Sequence, residues 1–191
     1  MHRLRKLLGD SNAITVEDQT ISLNERIVWT DIRELEVLFN LVAAAGDAHT
    51  GAAHSAAERV FSAYLGPFLE SDAEAAWAVS MREKLRSRFI QLVSDRGRWL
   101  ERKNRWDDAI RWYLRGIEAD ELTEAFYQGL MHCYLNADRP AEGLSVFRRL
   151  RKTLSLILSI TPSPASEEIY RHLQVRQRGP AARPLNSVRN R

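Results

Sequence analysis

With 191 residues and 45% hydrophobic content, the chain is long enough for one domain, or a domain with an appendage, and holds ample material for a buried core. No apolar run reaches the roughly 18 residues of a membrane span, the N-terminus lacks the apolar stretch of a signal peptide, and the lone Cys133 excludes an internal disulfide; the expectation is a cytoplasmic protein with no membrane contact. Net charge is only +3 but uneven, with acids dominating Asp31 to Glu74 and bases dominating from Arg148 onward, which argues against a uniformly basic nucleic-acid binder.

The first nine residues predict a short helix with Leu4, Leu7 and Leu8 on one face and Arg3, Arg5 and Lys6 directed elsewhere, ended by Gly9 as a C-cap. Two β-prone runs follow, Ala13 to Val16 and Thr20 to Leu23, and the Glu17-Asp18-Gln19 break between them predicts a hairpin. From Asp31, set as a cap with Glu34 completing a capping box, Ile32, Leu35, Leu38, Phe39 and Val42 form a helical apolar stripe that stops at Gly46. Asp47 to Ser55 is small and polar and is expected to be a loop; a second helix is expected from Ala56 to Leu65, where Gly66-Pro67 breaks it.

Ser71 and Glu74 offer another capping box, and Trp77, Met81, Leu85, Phe89, Arg96 and Leu100 recur at helical spacing after it, which predicts one helix of roughly 30 residues and about 45 Å. Three helices then follow over Trp106 to Ala119, Leu122 to Leu135 and Pro140 to Leu154, and Ser163-Pro164 opens a last one through Val175. Residues 176–191 hold Gly179, Pro180, Pro184 and five arginines, and are expected to be a disordered basic tail.

Within Phe89 to Phe147 the pattern repeats at an offset of 34 residues: Ala109 falls on Gly143, Tyr113 on Phe147 and Leu100 on Tyr134. Small Gly97, Ala109 and Gly143 let helices approach, while Leu100, Tyr113, Tyr134 and Phe147 fill the gaps between neighbours. The period and residue types resemble tetratricopeptide repeats, with departures at Glu121 and Ser155, where that family has proline, and at Met131, where it has a small residue. The fold class this implies is mainly α, built of tetratricopeptide-like antiparallel helix pairs with a small N-terminal helix and β-hairpin. Two repeats do not suffice for such an array, so the helices before Phe89 and after Leu154 are expected to supply the missing layers.

A basic helix followed at once by a hairpin is similar to the end of a response-regulator-type winged helix. Together with Val28-Trp29-Thr30-Asp31, Tyr64-Leu65-Gly66-Pro67-Phe68-Leu69-Glu70, Trp77, Arg82, Leu85, Arg115 to Asp120, Glu124 to Met131 and Thr161-Pro162-Ser163, it makes the chain resemble the bacterial transcriptional activator domain that accompanies winged helices in antibiotic-pathway and other regulators. The winged helix is shortened to its last helix and wing, and no glycine-lysine ATPase fingerprint is present. The resemblance implies a winged-helix remnant over 1–28, a helical domain over 29–175 and the tail over 176–191. It implies a regulatory or protein-interaction role in a regulator that positions a winged helix on DNA, with Arg3, Arg5 and Lys6 as DNA contacts and Glu17 to Thr20 at the wing tip. Partners would be a protein or a second copy through the helical domain, with DNA bound by the complete regulator and only weakly by this chain. The alternative is a freestanding helical-repeat adaptor for a protein or peptide.

No catalytic residue, metal site or cofactor is nominated, and the chain is not expected to be an enzyme. His132 and Cys133 are sequential on a helix and diverge by about 100°; Cys133 reads as a core residue. Asp47, His49 and His54 lack a further ligand at usable spacing. Asp107-Asp108 and Glu167-Glu168 fall in first helical turns, where the dipole favours acids. Trp77, Trp99, Trp106 and Trp112 are expected to pack between the central helices.

Overall fold

The computed structural model describes residues 2–17, 20–46, 51–69 and 75–178. The elements in chain order are α1 (His2–Leu8), β1 (Ile14–Glu17), β2 (Thr20–Leu23), α2 (Asp31–Ala45), α3 (Gly51–Ala63), α4 (Ala76–Arg102), α5 (Trp106–Ala119), α6 (Glu124–Asn136), α7 (Pro140–Leu158) and α8 (Pro164–Arg178). They divide into two compact units, residues 1–64 and 65–191, so α2 and α3 fall in the same unit as α1 and the hairpin.

In the first unit, Gly9 at φ 74° ends α1, and β1 pairs antiparallel with β2 in the register Ile14 with Leu23 and Val16 with Ile21. Asn24 closes the hairpin by donating its amide N–H to the Ala13 carbonyl (2.9 Å) and its side chain to the Asn12 carbonyl (3.1 Å). The cap of α2 lies one residue before the predicted Asp31: Thr30 is in an extended conformation, and its hydroxyl accepts the Arg33 N–H at 3.3 Å. Glu34 does not reach back to the cap but pairs with Arg59 of α3. The predicted loop is helical from Gly51, because Ala52, Ala53, Ala56 and Ala57 are strong helix formers and three of them are small enough to be buried where α2 and α3 pack. Asp47 and His49 lie outside the described residues, and His54 is an exposed residue of α3.

The second unit is an array in which α4, α5, α6, α7 and α8 each pack on the next, and α6 also touches α4 and α8. That is the connectivity of stacked helix pairs. The predicted cap at Ser71 and Glu74 lies outside the described residues; α4 starts at Ala76 and runs 27 residues, about 40 Å at the usual rise. Helices α7 and α8 run past their predicted ends, to Leu158 and Arg178, and residues 179–191 of the predicted tail lie outside the described residues.

Packing in the array works through rings set against glycines. Tyr113 lies between Gly97 of α4 and Gly129 of α6, where a Cβ on either would overlap its ring. A Cβ on Gly143 would stand 2.6 Å from Leu173 of α8, and one on Gly116 would stand 2.8 Å from Val93 of α4. Leu100, Ala109, Tyr134 and Phe147 are buried, Phe147 stacking on Tyr170 of α8 at 4.2 Å and Phe89 meeting Phe126 edge-on at 6.3 Å. The layer after Leu154 is thus α8. Of the four tryptophans expected between the central helices, only Trp112 is buried, its indole N–H donating to the Val93 carbonyl at 3.1 Å. Trp99 and Trp106 are half-buried, and Trp77 is 73% exposed, edge-on to Phe68, because it sits on the first turn of α4 ahead of the packed stretch that begins in earnest at Leu85.

Candidate interaction sites

The basic residues of α1 separate into two roles. Arg3 and Lys6 are exposed and three apart, so they share one side of the helix. Arg5 is half-buried on the other side, and its guanidinium donates to the Ile14 carbonyl at 3.2 Å, tying α1 to β1. Of the three, Arg5 holds helix and hairpin together, and Arg3 and Lys6 are exposed. Glu17 and Thr20 flank the hairpin turn and are exposed, while Asp18 and Gln19 lie outside the described residues.

The leucines of α1 are not covered. Leu4, Leu7 and Leu8 are all exposed, Leu7 to 82%, and on the hairpin Val16, Ile21 and Leu23 also face out, leaving Ala13 and Ile14 as the buried apolar residues of this part. Amphipathic spacing identifies the apolar face; it carries no information about whether anything packs on it.

In the array, several residues that make polar contacts across elements are ones that spacing does not reveal. Asp120, which ends α5, accepts from Arg86 of α4 at 2.8 Å, and Arg86 also donates to Thr123 at 3.3 Å. Arg82 donates to the carbonyls of Phe68 and Leu69, at 2.9 and 3.3 Å, and so holds the segment after Gly66 against α4. At the start of α6, Glu124 accepts from the Ser163 N–H (2.8 Å), the Ser163 hydroxyl (2.7 Å) and the fully buried Ser166 hydroxyl (2.5 Å), while Gln128 donates to both serine oxygens. Partial burial pushes the Glu124 carboxyl up, but the hydrogen bonds from Ser166, Ser163 and Gln128 together outweigh it and hold the group below the usual carboxylate range. This cluster clasps the N-terminus of α8 to that of α6.

The remaining candidates are structural. Burial raises the Tyr113 hydroxyl far above its ordinary range, helped by the hydrogen bond it donates to Glu101 at 2.6 Å, and burial likewise keeps Cys133 a thiol; His132 beside it is exposed. Asp108 pairs with Arg105 and Arg111, Asp107 with Arg139, and Glu168 with Arg171. Among the described residues no group of three or more His, Cys, Asp or Glu is placed to hold a metal ion, and no helix is long and apolar enough to cross a membrane.

Comparison with known proteins bears on residues 30–174, which match the family model described as bacterial transcriptional activator domain. No curated protein sequence matches the chain. Among solved structures, Mycobacterium tuberculosis EmbR in complex with a low-affinity phosphopeptide is similar, with a TM-score of 0.62 at 17% identity over 95% of this chain and 49% of that one, a likeness of fold. The chain spans about half the length of that protein.

Proposed function

The chain belongs to the bacterial transcriptional activator domain family, and on that premise we propose that its helical array is the regulatory and protein-interaction part of a transcriptional regulator, with α1 and the hairpin acting as the recognition helix and wing of a winged helix on DNA. The observation that carries the DNA half of the reading is the exposure of Leu4, Leu7 and Leu8 on α1 and of Val16, Ile21 and Leu23 on the hairpin, together with the exposed Arg3 and Lys6. An α-helix and two strands with so few buried residues need further helices to hold them in a groove, which is how a recognition helix is supported.

By itself this chain should bind duplex DNA weakly and without sequence preference, through charge alone. Titration over a range of salt tests it: Arg3→Ala with Lys6→Ala should lower the slope of log K against log salt by about two, and Arg5→Ala should loosen the hairpin before it changes the slope. A tight preference for one duplex at physiological salt would overturn the support argument. A form extended upstream by a strand-rich segment and the two further helices that would complete a winged helix, and that still ignored DNA, would favour a helical adaptor without a DNA role.

A further inference from the structure

The outward face of α7 carries a charged and apolar surface that none of the contacts above uses. Arg148, Arg149, Arg151 and Lys152 are exposed, and among the described residues none of them forms an ion pair with a carboxylate, although Arg149 lies near enough to the Tyr127 hydroxyl of α6 to interact with it. Elsewhere in the array exposed arginines do meet acids, as Arg98 does with Asp95, Arg171 with Glu168 and Arg176 with Asp138. Arg148 instead turns back to the Leu144 carbonyl of its own helix at 3.2 Å. The cluster weakens the helix that bears it, since Arg148 stands three residues from Arg151 and four from Lys152, and Arg149 three from Lys152. Nor do these bases complement the C-terminal end of the helix dipole, because the last turn of α7 contains none.

Arg149, Lys152 and Leu156 follow one another along a single stripe, opposite the buried Phe147, Leu150 and Leu154. Leu156 is 71% exposed, and Ile157, Leu158 and Ile160 beside it are exposed as well. Phosphates would satisfy the cations and leave these aliphatics uncovered, whereas an acidic protein segment that also carries apolar side chains would satisfy both.

We propose that this face of α7 is a docking surface for an acidic amphipathic helix of a partner protein, whose carboxylates pair with Arg148, Arg149 and Lys152 and whose apolar residues seat on Leu156. The proposal is independent of the DNA reading, since it uses no residue of α1 or the hairpin. The test is fluorescence titration of the full chain with a synthetic helical peptide of about five turns bearing glutamates along one side and leucines beside them, together with the same peptide with serine for leucine and a duplex DNA of equal charge. Binding of the glutamate-leucine peptide should be salt-dependent, should weaken about tenfold or more in Arg149→Glu with Lys152→Glu, and should weaken in Leu156→Ser, with thermal melts of the variants unchanged. Failure to bind, equal binding of the serine peptide, tighter binding of the duplex, or self-association in sedimentation that the same variants abolish would each overturn it.

Discussion

The two units use their apolar residues in opposite ways. In the array, Tyr113 fills the space left by Gly97 and Gly129, Leu173 fills that left by Gly143, and Phe147 stacks on Tyr170, so large side chains from different helices lock one another in place. In the N-terminal unit, α2 and α3 bury Leu38, Phe39 and Val60, but α1 and the hairpin leave Leu4, Leu7, Val16 and Ile21 exposed. The lesson is that the same amphipathic pattern specifies a packed element in one place and an available surface in the other. What differs is whether a complementary ring or glycine lies opposite.

Substitutions should separate the two regimes by size of effect. The largest loss is expected for Tyr113→Ala, about 3 to 5 kcal/mol by denaturant unfolding, since it empties a space between three helices; a near-neutral result would mean that the ring is not wedged as described. Gly143→Val should cost about 1 to 3 kcal/mol through overpacking against Leu173, with loss of α8 protection seen first. At the other extreme, Leu7→Ser should change stability by less than about 0.5 kcal/mol, because the leucine is already in water; a loss of several times that would show α1 to be covered.

Between these lies the Glu124 clasp, which pH can probe. Its folded-state pKa is depressed, so its contribution is present above the ordinary carboxylate pKa of about 4.3 and is lost as pH falls through the lower folded value. Wild type should therefore lose its advantage over Glu124→Gln on acidification below that range. Melting curves of the two proteins that stay parallel from neutral pH down to pH 3 would contradict the clasp.

Much of the array was legible because its packing repeats: an offset of 34 residues aligns Tyr113 with Phe147 and Ala109 with Gly143. Gly129 has no counterpart at that offset, and the signal that could have found it was a glycine in a helix interior, a costly choice that calls for a packing reason. The Glu124 cluster joins residues 39 and 42 apart, and long-range polar contacts leave no periodic trace. Gly51 to Ser55, the first turn and more of α3, looked like a loop because its small residues and histidine mimic one; propensity was the better guide. At Leu4, Leu7 and Trp77 the residue types gave the chemistry of the surface but not its exposure, which depends on what lies across from it.

Native-state hydrogen exchange read by mass spectrometry tests most directly the claim that the array carries the stability while α1 and the hairpin form an open surface. Amides of α4 around Phe89 to Leu100 and of α6 around Phe126 to Tyr134 should exchange only by global unfolding, and those of α1 and of β1 and β2 by local opening at much lower free energy. Protection of α1 and the hairpin equal to that of α6 would contradict the account.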